Sequence, residues 1–320
     1  MIKNKNILIT GGAGFIGCHL FERLIQENNY IIIIDNFNDY YLGKKEQILN
    51  ITKDFDSSND YILIEDTLLN KQIFNKVNCD IDVIFHLAAQ PGVRYSIENA
   101  VEVTRNNIES TVNIFEYALQ NNVRKVVYSS SSSVYGNPFY TPVDEEHPKN
   151  PISPYSVSKL CGEIYADYYF REYGLPITWL RFYTVYGPRG RPDMAIRKFF
   201  NHILKNEKIS IYGDGEQLRD FTYISDIVSG LILSAEKPES NGQAFNLGIS
   251  NPISINQLVE KMYAIANKPK NIIHVEKKKG DVEITHSNTE KARKILNYNP
   301  SVQLDDGLAL TYDWQKDNLE

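Results

Sequence analysis

In "NILITGGAGFIGCHLFERL", Gly11, Gly14 and Gly17 mark the passage from a β-branched run to an amphipathic helical segment. A glycine-rich turn that opens a helix lets main-chain N–H groups close on a pyrophosphate, with the positive end of the helix dipole behind them. Spaced glycines alone also make plain turns. Here they follow a strand, open a helix, and are answered by Asp35 at the end of the next strand-like run, "YIIIID", which is the context a dinucleotide site requires. Asp35 should accept hydrogen bonds from the adenosine ribose hydroxyls and repel a 2'-phosphate, so NAD is expected rather than NADP. Its other reading is a cap on the "NFND" turn. Asp66, after the third strand, either takes the adenine amino group or caps the next helix.

The same alternation continues through "YILIED", "DVIFHLA" and "KVVYSS", each separated from the next by helix-length segments with apolar residues at i, i+3 and i+4, the signature of βαβ units. The expected fold is α/β, a Rossmann-like doubly wound parallel sheet with a smaller mixed α/β C-terminal lobe. The expected division is 1–181 for the dinucleotide domain, which also receives 213–250, and 182–212 with 251–320 for the second lobe. A helix is expected near 194–205. No internal repeat or low-complexity tract interrupts the pattern.

Composition closes several other routes. No apolar run nears the roughly 20 residues of a bilayer span, and the first residues lack a secretory leader, so a cytoplasmic protein is expected. Cys18, Cys79 and Cys161 lack CxxC spacing and are read as reduced thiols, and the six histidines form no HxxH or HExxH group; no metal is expected. A net charge of −6 speaks against nucleic acid. The "KKK" at 277–279 reads as a solvated loop.

"NPISPYSVSKLCGEIYADYY" begins a helix with Ser153 as N-cap and Pro154 at the first helical position. Tyr155 and Lys159 then stand one turn apart on a single face. An ammonium beside a phenol, with a nicotinamide cation near, should lower its pKa from about 10 and make Tyr155 a proton acceptor. Ser129, Ser130, Ser131, Ser132 and Ser133, at the end of a strand, suit a polar pocket at the carboxyl edge of a parallel sheet.

With these residues the chain resembles the extended short-chain dehydrogenase/reductases that modify nucleotide sugars, over its whole length. "HLAAQPGVRYS", "NNIEST", "RFYTVYGP", "YGDGEQLRDFTYISD" and "FNLGISNPISI" match the blocks of that family. The resemblance implies that Ser131 joins Tyr155 and Lys159 in catalysis. It further implies that Phe15, Ile16, Asn36, Leu87, Ala88, Ala89, Asn107 and Ser129 surround the cofactor, with Phe182 at the nicotinamide. Arg219 is implied to reach the phosphates, and Arg94, Ala195, Tyr212 and Asp281 to line the nucleotide-sugar site. A homodimer pairing helices near 108–120 and 155–169 is implied as well.

Chemistry in this family starts with hydride transfer from sugar C4 to NAD and then branches. Its 4,6-dehydratases carry Asp-Glu, and its UDP-glucuronate decarboxylases a Glu, directly before the Val-Tyr-Gly step; this chain has Ser132 and Ser133 there, which do not act as carboxylate bases. Return of the hydride to the other face needs no further acid, so 4-epimerisation is expected. "YGPRGRPDMA" fixes Arg189 and Arg191 in a rigid turn, and a guanidinium fork at 191 suits a carboxylate. Together with Thr184 in place of the family's usual Asn, this resembles the UDP-glucuronate 4-epimerases. Arg189 stands where that group has Trp. Arg191 is expected to hold the substrate carboxylate with Thr184, Ser132 and Ser133; its alternatives are an ion pair with Asp193 or a phosphate contact. Neutral UDP-hexose or UDP-N-acetylhexosamine 4-epimerisation, decarboxylation, and an NAD-binding scaffold without turnover are the competing readings.

Overall fold

The computed structural model describes residues 2–57, 59–277 and 282–319. Six strands, β1 (Asn6–Thr10), β2 (Tyr30–Asp35), β3 (Tyr61–Glu65), β4 (Val83–His86), β5 (Lys125–Ser131) and β6 (Ile177–Phe182), pair side by side in the order 3-2-1-4-5-6. All the pairings are parallel. Six α-helices occur in the segments between them: α1 (Phe15–Ile25), α2 (Lys44–Thr52), α3 (Val93–Glu98), α4 (Ala100–Thr104), α5 (Ser110–Gln120) and α6 (Pro154–Tyr173).

Parallel strands covered on both faces read as unbroken apolar runs, and "YIIIID" shows how the alternation sorts them. Ile31 and Ile33 join Ile7, Ile9, Phe85 and Val127 in one core with Phe21 and Leu24 of α1. Ile32 and Ile34 turn the other way, to Leu8, Ile84 and Val126 with Ile114 and Phe115 of α5 and Ala166 of α6. Each such side chain removed from water contributes about 1.5–3 kcal/mol.

Beyond β6 the chain runs through β7 (Thr184–Tyr186), α7 (Ala195–Leu204), β8 (Ile209–Tyr212), β9 (Leu218–Arg219), β10 (Phe221–Tyr223) and α8 (Ile224–Glu236). β11 (Gln243–Leu247) then returns to the large sheet as a seventh strand, parallel to β6. β12 (Ile253–Ser254), α9 (Ile255–Ala266), β13 (Ile272–Val275), α10 (Glu290–Leu296) and α11 (Leu304–Asp317) complete the chain. Three small ladders, β10 with β7, β12 with β9 and β13 with β8, lie outside the large sheet, and α7 packs against α9 and α11. Among the described residues no helix is long and apolar enough to cross a membrane.

Of the apolar residues of 108–120, Ile114, Phe115 and Ala118 are fully buried, while Ile108, Val112 and Leu119 are part-buried. On α6, by contrast, Val157, Ile164, Tyr165 and Tyr168 are exposed, beside exposed Ile97 of α3 and Val101 of α4.

Candidate active site

The carboxyl ends of β1, β2, β4, β5 and β6 open into a cavity of about 420 Å³. This is the crevice where the strand order reverses, between β1 and β4, and the place an open α/β sheet binds its ligand. Every cofactor residue expected from the sequence lines it except Asn107. Asn107 sits behind the wall: its amide accepts from Gln90 N–H at 2.7 Å and donates to Gln90 O at 3.1 Å and Ser158 Oγ at 2.9 Å. It therefore fixes the lining rather than forming it.

The glycine turn is shaped for a bound group. Gly11, at φ 70°, would carry a Cβ 2.7 Å from Ala88 N, and a Cβ on Gly17 would lie 2.2 Å from Gly11 O. Both positions exclude any side chain. Gly14 meets nothing nearer than Gly11 O at 3.2 Å and Tyr41 Oη at 3.7 Å, and it faces the cavity at the start of α1, which has no side-chain cap. Uncapped N–H groups above a glycine floor fit a dinucleotide pyrophosphate.

Asp35 lines the cavity and also caps its turn, accepting from Ala13 N–H at 3.1 Å and Phe37 N–H at 2.9 Å. Burial raises its pKa against those N–H groups and the Lys44 ammonium. Asp66 also lines the cavity, and Thr67 N–H and Asn70 Nδ2 donate to it at 2.8 and 3.1 Å; the cap of the following helical turn is Asn70, whose side chain accepts from Gln72 N–H.

At the other end stand Tyr155, Lys159 and Ser131. α6 opens with a capping box: Ser153 Oγ accepts from Ser156 N–H at 3.2 Å, Ser156 Oγ accepts from Ser153 N–H at 3.0 Å, and Pro154 occupies the first position. This rigid start presents Tyr155 to the cavity that Ser131 also lines. Burial raises the Tyr155 pKa, and the influences that lower it are Arg191 first and Ser131 second. The expectation that Lys159 performs this lowering is corrected. Lys159 donates to Ser129 O at 2.7 Å, lies 5.1 Å above the Tyr128 ring, and is drawn by burial to a pKa of about 7.

Ser131 ends β5 and caps the following turn, accepting from Ser133 N–H at 3.2 Å. Ser132, Ser133, Thr184 and Arg191 line the cavity beside it. Ser133 Oγ and Gln90 Nε2, both in that lining, are buried with no hydrogen-bond partner among the described residues, a sign of walls made for a polar occupant.

Arg191 donates to Asp193 from Nε at 3.0 Å and from Nη2 at 2.6 Å, so the ion pair weighed from the sequence is formed. Arg189, at φ 60°, turns away from the cavity and pairs with Glu22 and His19 of α1. It ties the loop to the cofactor helix.

The remaining substrate residues expected from the resemblance stand elsewhere. Ala195 lines a small adjoining pocket. Arg94 lies over the Tyr212 ring at 4.8 Å, and Arg219 Nη1 donates to Leu218 O at 2.8 Å; none of the three lines the main cavity. Asp281 lies outside the described residues. Missing from the sequence reading were Asn38, Tyr40, Tyr41 and Lys44, all in the lining. Their signal was position, since the loop after Asp35 must border the same crevice.

Residues 7–248 match the NAD dependent epimerase/dehydratase family. The chain belongs to this family. It is 39% identical to a UDP-glucuronate 4-epimerase of Thermodesulfobacterium geofontis, over 98% of this chain and 97% of that protein. Among solved structures it is similar to a UDP-N-acetylglucosamine 4-epimerase from Methanobrevibacter ruminantium, with a TM-score of 0.92 and 32% identity over 99% and 100% of the two chains. It is also similar to a UDP-glucuronic acid 4-epimerase from Bacillus cereus bound to UDP-glucuronic acid and NAD, with a TM-score of 0.90 and 34% identity over 98% and 99%. With the family come NAD as cofactor and, at the level these relatives share, 4-epimerisation of a UDP-sugar.

Proposed function

We propose that this member of the family interconverts UDP-glucuronate and UDP-galacturonate. The observation that carries the reading is the make-up of one cavity wall: Tyr155, Ser131, Ser132, Ser133, Thr184 and the Arg191 guanidinium together. Asp35 and Asp66 are the acidic members of the described lining, and both belong to the ends of β2 and β3. No carboxylate of that lining stands beside Ser131 to take a proton from C5, which speaks against dehydration.

Bound NAD supplies the hydride acceptor at C4 and the hydride returned to it. Tyr155 takes the C4 hydroxyl proton, with Ser131 sharing the hydrogen bond and the Arg191 charge favouring the phenolate. Once the sugar has turned, Tyr155 hands the proton back to the oxygen on its other face. A uronate oxidised at C4 is a β-keto acid, and loss of CO2 would break the C5–C6 bond with its electron pair entering the C4 carbonyl. A guanidinium that fixes the carboxylate plane holds that bond out of alignment.

A second reading, 4-epimerisation of a neutral UDP-hexose or UDP-N-acetylhexosamine, is favoured by the Arg191–Asp193 pair, because the fork already holds a carboxylate. The deciding experiment incubates the full chain with UDP-glucuronate, without added NAD, and follows products by NMR. UDP-galacturonate is expected; faster turnover of UDP-glucose, or UDP-xylose with CO2, would overturn the assignment. The exposed apolar face of α6 supports a second copy of this chain as partner, and Ile164→Glu is then expected to halve the mass measured by light scattering.

A further inference from the structure

The loop after β2 and the loop after β7 meet across the mouth of the cavity. Tyr40 Oη donates to Asp193 Oδ2 at 3.1 Å, and the same carboxylate receives the two Arg191 bonds. The Arg191 guanidinium lies over the Tyr40 ring at 5.6 Å. Tyr40 is itself held, edge-on to Tyr95 at 5.4 Å and 80°. Its hydroxyl stands where a Cβ on Gly92 would fall, 2.5 Å away. Arg191 thus has a carboxylate along one edge and an aromatic ring beneath it.

A free arginine side chain has many rotamers to lose on binding. A planar fork chelated through two nitrogens loses most of that freedom before a ligand arrives, which is how a binding group is preorganised. We propose that Asp193 and Tyr40 are positioning residues, a cross-cleft clamp that fixes the Arg191 guanidinium in the orientation from which it acts on Tyr155 and on the substrate. For the substrate the clamp rests on the uronate reading above; for Tyr155 it does not.

The groups that face these side chains are few. Tyr155 is met by Ser131 and Tyr128 from β5 and by Arg191 from the loop after β7, while the Lys159 ammonium, one turn along α6, turns to Ser129 O. Arg191 is met by Asp193, Tyr40, Tyr41 and Tyr155. Burial raises the Asp193 pKa, the Arg191 bond and charge and the Tyr40 bond lower it, and the result is lowered. Asp193 stays an anion through the working range.

Tyr40→Phe keeps the ring and removes the hydroxyl, and Asp193→Asn keeps the shape and removes the charge. Each is made alone and with Arg191→Ala in the NAD-loaded full chain, and kcat and KM are followed from about pH 6 to about pH 10. Tyr40→Phe is expected to lower kcat about 3- to 10-fold and to move the rising limb of kcat to higher pH, in the direction of Arg191→Ala. In the Arg191→Ala background, Tyr40→Phe and Asp193→Asn should have no further effect, as coupled residues do.

With UDP-glucuronate, both single variants should also release CO2 and a UDP-pentose, a leak that a merely structural role would not produce. Additive losses, or single variants with unchanged kcat and pH limb, would overturn the clamp. Should the protein turn over a neutral UDP-hexose and leave UDP-glucuronate untouched, the uronate reading falls, and the same cycle on the hexose decides the clamp separately.

Discussion

Lys159 Nζ donates to the Ser129 carbonyl at 2.7 Å, a bond that ties α6 to the end of β5 carrying Ser131. The tie sets the distance between the two halves of the catalytic wall. Tyr155 stands one helical turn before Lys159 and Ser131 two residues beyond Ser129, so the phenol and the hydroxyl meet without either element bending.

Tyr155→Phe should therefore leave the fold intact and remove the proton acceptor. Turnover of the UDP-sugar is expected to fall about 10²- to 10⁴-fold, with an unchanged melting temperature and unchanged dinucleotide content. A variant within tenfold of the parent would show that another group takes the proton.

The glycine turn separates packing from binding. Gly17→Ala forces a methyl to 2.2 Å from Gly11 O, so it should unfold the turn and lower Tm by several degrees. Gly14→Ala brings a methyl to 3.2 Å from Gly11 O, a contact that a shift of a few tenths of an ångström relieves, on a residue that lines the cavity; it should lower Tm less than Gly17→Ala and release most of the NAD. Dinucleotide freed on denaturation, measured against protein, distinguishes them.

The fold was legible because its signals are local. Short β-branched runs, the three glycines and the Ser153-Pro154 helix start each act within a few residues, and β1 to β5 and α6 followed directly. Contacts made across the chain were not. Nothing near Arg219 or Arg94 in sequence says that one bonds its neighbour's carbonyl while the other covers Tyr212, and nothing near Lys159 says that its ammonium turns to Ser129 rather than to the phenol. Arg189 is the clearest case. Its residue type suited an anion, and its backbone, at φ 60°, points it to Glu22, 167 residues earlier.

Stability should rise with pH just above neutrality. Lys125 donates to Thr178 Oγ1 at 2.7 Å, to Ser240 Oγ at 2.8 Å and to Asn241 Oδ1, with no carboxylate among these partners, and burial draws its pKa down to about 7. An unfolded lysine titrates near about 10.4, so above about pH 7 the unfolded chain binds a proton that the folded one has released, and stability climbs. Below about pH 7 both states carry the charge and the effect is level. Lys159 contributes in the same direction, while Cys18, pushed up by burial to about 12, opposes it from about pH 8.5 upward. Lys125→Met should flatten the rise between about pH 7 and about pH 8.5, seen in urea midpoints; an identical slope would mean that Lys125 stays charged when folded.

The buried pair of Arg181 and Glu163 should be the most sensitive point behind the site. Arg181 donates from Nε and Nη2 to the two Glu163 oxygens at 2.9 and 2.7 Å, with side chains only 3% and 5% exposed. Nη1 donates to Tyr135 Oη at 2.7 Å and Glu145 O at 3.1 Å, and Ser130 Oγ donates to Glu163. β5, α6 and β6 thus converge on one charge pair beneath the catalytic wall. Forming such a pair yields little net stability because both ions are desolvated, but removing one partner strands the other. Glu163→Gln is expected to cost about 3–5 kcal/mol in urea unfolding, and Arg181→Met added to it should recover part of that loss. Glu163 is also the charge that raises the Lys159 pKa against burial, so the single variant should push Lys159 further toward its neutral form. A loss below about 1 kcal/mol would mean that water reaches the stranded guanidinium.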